Sequence, residues 1–222
     1  MFVLTLDQRR SRRSLDEVPQ LLRRLNAHSH AGLVLAFERT TGDEIQGTVS
    51  SPSLVVEAAV AAIRSDSWRV GIGIGDVEKP LPSSTREARG PAYIAARAAV
   101  EAAHASPQPV RIVGAPGYGG RNMETIEQAV DRAESAMWLL ASLLSRRTTD
   151  GWQVCDLLAT GSTQRAIASR LRISPSAVSQ RAARAGWLEE SRGRPLIAGL
   201  LQDAESHDSS AAPNEHSRLL DE

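Results

Sequence analysis

Two acidic side chains carry the first chemistry legible in the 222-residue sequence: Asp7, which closes the apolar run Phe2 to Leu6, and Asp43, in the turn Thr41-Gly42-Asp43 with Glu44 beside it. Carboxylates of this kind, when adjacent, can share Mg²⁺ ions that hold a nucleoside triphosphate. Arg9, Arg10, Arg12 and Arg13 follow Asp7 directly. They suit the phosphates of a nucleotide or of DNA, or a solvated basic loop. The plainer reading makes Asp7 a strand-end cap and Asp43 a turn former. Of the five histidines only His28 and His30 stand close together, with no further ligand nearby, which argues against zinc.

A second chemistry lies at Thr163 to Trp187, TQRAIASRLRISPSAVSQRAARAGW. Ile167, Ala168 and Leu171 share one helical face, and Ile173 closes a three-residue turn. Val178 opens the inner face of a second helix, with Ser174 as its cap and Pro175 in its first position. Asp150 to Ala159 supplies the third helix of a small core, in which Cys155 reads as a buried apolar residue. This helix-turn-helix would aim Ser176, Gln180, Arg181 and Arg184 at a major groove, where Gln pairs with adenine and Arg with guanine. Thr163, Arg165 and Arg170 would meet phosphates, and Ser174 stands among them. Arg192 and Arg194, in Ser191 to Pro195, read as a basic wing or as a linker. Every charged residue from Arg165 to Arg184 is Arg, which favours double-stranded DNA over protein docking. A homodimer would extend the site to a near-palindrome.

The elements that must position these residues follow from pattern. Phe2 to Leu6 reads as a buried strand. Ser14 and Glu17 have capping-box spacing ahead of a helix through Val18, Leu21, Leu22 and Leu25. Gly32 to Phe37 and Ile45 to Val49 form a hairpin, and Ser53 caps a helix running to Ile63. The strand Trp68 to Val77 contains GIGIG, a pattern that implies close approach to its backbone. A helix over Pro91 to His104 and a strand over Val110 to Val113 complete an α/β sandwich with a mixed sheet. Gly114 to Asn122 marks a boundary. Beyond it, Ile126, Val130, Ala133, Met137, Leu140 and Leu144 form a stripe that suits packing on the parent domain or a two-helix seam between protomers.

The zero net charge is a cancellation. Residues 1 to 145 hold 16 basic and 16 acidic side chains, residues 146 to 194 hold 9 and 4, and residues 195 to 222 hold 1 and 6. The basic block coincides with the helix-turn-helix, and the acidic one reads as a disordered tail. A lone cysteine excludes a disulfide scaffold, and no apolar run is long enough to span a membrane. Met1 to Leu6 is too short for a signal peptide, so the expected location is cytoplasmic.

The strand ending in Asp7, the hairpin Thr41 to Gly47, the strand GIGIG and the helix GPAYIAAR together resemble the SatD family, over roughly residues 1 to 190. More distantly they resemble the palm-type fold of class III nucleotide cyclases and GGDEF diguanylate cyclases. The resemblance implies an α+β protein, a ferredoxin-like or palm domain over 1–120 followed by a winged helix-turn-helix over 148–200; the residue pattern sets a connecting or dimerisation helix over 121–147 between them and an acidic tail over 201–222. It implies Asp7 and Asp43 at metal positions with Glu44 beside them and Arg97 at the transition-state arginine; by their position after Asp7, Arg9, Arg10 and Arg12 are the candidates for a nucleotide's phosphates. The sequence departs from the cyclase pattern: Thr41 replaces the first glycine of GGDEF, Ile45 replaces its Phe, and Tyr93 stands where cyclases carry Asn. The expected function is therefore a DNA-binding transcription regulator whose cyclase-like domain is catalytically degenerate. The competing expectations are an active metal-dependent cyclase or nucleotidyltransferase coupled to DNA binding, and an interaction module without DNA.

Overall fold

The computed structural model describes residues 1–9, 15–27, 31–116 and 123–206, the side chains of 123–125 excepted. In chain order the elements are β1 (Phe2–Gln8), α1 (Val18–Leu25), β2 (Leu33–Arg39), β3 (Glu44–Val49), α2 (Pro52–Ile63), β4 (Trp68–Ile74), α3 (Pro91–Ala102) and β5 (Val110–Gly114). Five further helices follow: α4 (Met123–Ser145), α5 (Thr149–Ala159), α6 (Gln164–Leu171), α7 (Pro175–Arg184) and α8 (Trp187–Ser206). The strands form one sheet in the order β2-β3-β1-β4-β5, antiparallel throughout except between β4 and β5. The protein is thus α+β, with a mixed sheet followed by a helical region.

The apolar run of β1 is continuous because both of its faces are covered. Phe2, Leu4 and Leu6 join the main core with α1, α2 and α4, whereas Val3 packs with Ala92, Tyr93 and Ala96 of α3. The glycines of β4 answer to α3: a Cβ on Gly71 would lie 2.3 Å from Val100 N, and one on Gly73 would lie 2.1 Å from Ala92 O. The helix therefore lies directly on the strand backbone, as the GIGIG pattern implied.

Several expectations are corrected. Helix α1 starts at Val18 with Glu17 at its N-cap, not within a Ser14–Glu17 capping box. Pro19 explains this, since a helix starting after Ser14 would place its ring against the carbonyl four residues back. Ser14 itself lies outside the described residues. Helix α2 is capped by Ser51, whose side chain accepts from Leu54 N, and not by Ser53.

The stripe on α4 is buried within its own chain, against β5, α2 and α8, so it does not form a seam between protomers. Glu134 of α4 accepts from Ile112 N at 2.7 Å, and Trp138 Nε1 donates to Val110 O at 2.8 Å. Helix α4 thereby occupies the hydrogen-bonding edge of β5.

Ser191 to Pro195, with Arg192 and Arg194, is neither wing nor linker but part of α8. Gly193 and Pro195 are breakers in isolation. Ile197, Leu201 and Ala204, spaced by four and three, bury against α4 and α2 and hold the segment helical. The same burial keeps 201–206 folded, so the stretch read as tail begins as helix; 207–222 lies outside the described residues.

Candidate functional site: a carboxylate sheet end and a three-helix face

In the β1–β3 register Asp7 stands opposite Glu44, and in the β1–β4 register it stands opposite Arg69. The end of β1 thus brings Asp7, Glu44 and the hairpin turn with Asp43 together. Glu44 reaches Arg97 of α3 and Asp7 reaches His104 just beyond that helix, while Asp43 is close enough to repel the Asp7 carboxylate.

Each described contact there is with a cation or hydroxyl of the same chain. Arg97 Nη1 lies 2.7 Å from Glu44 Oε2 and its Nε lies 2.9 Å from Glu101 Oε1. Thr40 Oγ1 donates to the other oxygen of Glu44 at 2.6 Å. His104 Nε2 lies 3.5 Å and Arg69 Nη1 3.9 Å from Asp7 Oδ2. Burial, followed by repulsion from Asp43, nevertheless raises the Asp7 carboxyl above its ordinary value, outweighing His104 and Arg69.

Among the described residues no group of three or more His, Cys, Asp or Glu is placed to hold a metal ion. Tyr93 is buried, and its hydroxyl meets that of Thr48 on β3, so it serves the packing of α3 on the sheet. Arg9 is turned to Asp66 at 3.1 Å. Arg10, Arg12, Arg13, His28 and His30 lie outside the described residues.

Sequence reasoning missed His104 and Arg69. His104 was reachable, since Arg97, Glu101 and His104 fall at helical spacing. Arg69 depends on the β1–β4 register, which no local pattern reveals.

Because the folded-state proton affinity of Asp7 exceeds the unfolded one, its neutral form favours the fold. That contribution is complete below the ordinary value of 3.8 and is lost as pH rises through the raised value. Asp7→Asn is accordingly expected to stabilise the protein at pH 7 by about 0.5–1 kcal/mol, by relief of a desolvated and repelled charge. Thermal melts at pH 7 and pH 3.5 check this; the gain should vanish at the lower pH, where Asp7 is itself protonated.

The second face is built by α5, α6 and α7. Val154, Ile167, Ala168, Val178 and Ala182 form its core, with Leu157, Leu158, Leu171, Ile173 and Trp187 around it. Thr148, Thr163 and Ser174 cap the three helices by accepting from Gly151, Ala166 and Ala177 N. Arg172 takes the left-handed conformation (φ 55°) that ends α6 and opens the turn. Cys155 is buried, and burial raises its thiol.

On the outer side Arg165, Arg170, Ser176, Gln180 and Arg184 are exposed. Arg181 is half-buried, 2.9 Å from Asp150 of α5, so it tightens the unit. Arg194 is bonded to Glu190 at 2.9 Å within α8, away from this face. Arg192 is exposed on α8. Sequence reasoning passed over Arg172, exposed at the turn.

The class these features define is an α+β protein with a carboxylate-bearing sheet end and a helical C-terminal region. Residues 4–110 match the model of the SatD family, which supports that family name. The match ends at the first residue of β5 and leaves the helical region outside it. No curated protein and no solved structure matches the chain. No described helix is long and apolar enough to cross a membrane.

Proposed function

We propose that this protein is a dimeric, sequence-specific DNA-binding transcription regulator of the cytoplasm. In this reading its sheet domain is a catalytically degenerate, ferredoxin-like or palm-type relative of the nucleotide cyclases, used to sense a nucleotide or to pair protomers. The observation that carries the DNA reading is α7: capped by Ser174, seated by Val178 and Ala182, and presenting exposed Ser176, Gln180 and Arg184. Arg165, Arg170 and Arg172 around it supply positive charge for phosphates. The strand order β2-β3-β1-β4 with its two helical crossovers supports the palm kinship. Loss of catalysis is supported by Arg97 lying on Glu44 and by His104 and Arg69 flanking Asp7. With the α4 stripe buried, pairing falls to other surfaces; Leu139, Leu188 and Leu196 are exposed large apolar residues on α4 and α8.

Selection from a random duplex library tests this reading. It predicts enrichment of an inverted repeat with half-sites about 10 base pairs apart. No enrichment, or binding without salt dependence, would instead favour a protein-interaction module.

One observation favours a second reading, an active metal-dependent cyclase: the repulsion between Asp7 and Asp43 is of the kind a divalent cation relieves. Incubation with Mg²⁺ or Mn²⁺ and each nucleoside triphosphate separates the two. Turnover that Asp43→Asn abolishes would establish the second reading.

A further inference from the structure

Between α2 of the sheet domain and α5 and α8 of the helical region lies a cavity of about 190 Å³. Its wall carries four guanidinium groups, Arg24, Arg64, Arg147 and Arg194, against three carboxylates, Glu57, Asp156 and Glu190. Trp152 lines it too, with the Arg64 guanidinium 4.5 Å from the ring centroid and that of Arg147 4.4 Å from it.

The charges are unevenly satisfied. Arg64 is held by Asp156 through two bonds of 2.7 Å, and Arg194 by Glu190. The Arg147 side chain is fully buried, and its Nε donates to Ala185 O at 2.9 Å. Nη1 lies 2.6 Å from Glu190 Oε2, yet Nη1, Nη2 and Oε2 have no aligned hydrogen-bond partner. Glu190 is thus shared between two arginines: one oxygen takes two bonds from Arg194, and the other lies against Arg147 without satisfying its donors. A buried guanidinium with unmet donors is costly, and it leaves a positive field at the cavity that Arg24, exposed at the rim, reinforces.

We propose that this cavity binds a small oxyanion, a carboxylate or a phosphate, between the sheet domain and the helical region. The anion is recognised by the Arg24 guanidinium at the rim, with Arg147 behind it supplying charge and Trp152 a flat wall. The volume accommodates a ligand of a few heavy atoms, and the site shares no residue with the carboxylate sheet end or with the exposed face of α7.

Calorimetric titration of the full chain at 150 mM NaCl, with inorganic phosphate in one arm and malonate in the other, tests it. Sodium chloride at matched ionic strength is the control. The expected result is saturable binding of one probe with Kd below about 1 mM, weakened about tenfold or more by Arg24→Ala, a surface change that leaves the core intact. Which arm saturates assigns the ligand to the phosphates or the carboxylates. Overturning results are weaker or unsaturable heats for both probes, heats equal to the chloride control, or binding that Arg24→Ala leaves unchanged.

Discussion

Replacing Glu190 by Ala is expected to destabilise the protein by about 3–5 kcal/mol, a loss of roughly 6–20 °C in Tm for a chain of this size. The Glu190 side chain is 3 % exposed and the Arg147 side chain 0 %. Truncation leaves a guanidinium sealed from water, with Ala185 O as its remaining described acceptor and Trp152 against its face. Arg194 loses its partner in the same step, but at 36 % exposure it can turn to solvent. The cost comes from stranding a charge rather than from the worth of the pair. A double variant, Arg147→Met with Glu190→Leu, should therefore recover most of the loss. Melts of the two variants check the account; a single variant as stable as the parent would show that water reaches Arg147.

The second large effect is expected at Gly73. An alanine there would place its Cβ 2.1 Å from Ala92 O and 2.4 Å from Ala96 N, both backbone atoms of α3 that no rotamer change can move. The helix must withdraw by about 1 Å, at a cost near 3 kcal/mol or roughly 6–12 °C. Withdrawal also carries Arg97 and His104 away from Glu44 and Asp7, so strand packing and site electrostatics fail together. Gly193 is the internal control. It lies inside α8 with nothing within 4 Å of an added Cβ, so Gly193→Ala should stabilise by about 0.5–1 kcal/mol. Denaturant titration of both variants checks the contrast, and a neutral Gly73→Ala would contradict the contact.

How much of this was legible in the residues depended on whether the deciding contact was local. The β2–β3 hairpin and the α6–α7 pair are written in short-range signals: Thr41-Gly42-Asp43 between two apolar runs, and Ser174-Pro175 after a three-residue turn. GIGIG announced a close neighbour without naming it, because α3 reaches β4 from 17 or more residues away in the chain. Gly193 and Pro195 spoke for a loop, and tertiary burial of Ile197 and Leu201 overruled them. The α4 stripe has one pattern for two partners, and only the position of α8 decides between them.

At the carboxylate end, Asp7, Asp43 and Glu44 could be placed from turn chemistry and the resemblance. Their cations could not, since Arg69 arrives through strand register. The Arg147–Glu190 pair was invisible for a related reason: a charged residue between two helices reads as solvated until another helix covers it.

If α7 reads bases in DNA, as proposed, its exposed side chains should set the affinity for a selected duplex. By fluorescence anisotropy at physiological salt, Gln180→Ala and Arg184→Ala should each weaken binding to that duplex by about 5- to 150-fold, the range of one two-bond base contact. The same Gln180→Ala change should leave affinity for random DNA almost unaltered. Equal affinity of parent and both variants for the selected duplex would contradict the assignment of α7 as the recognition helix.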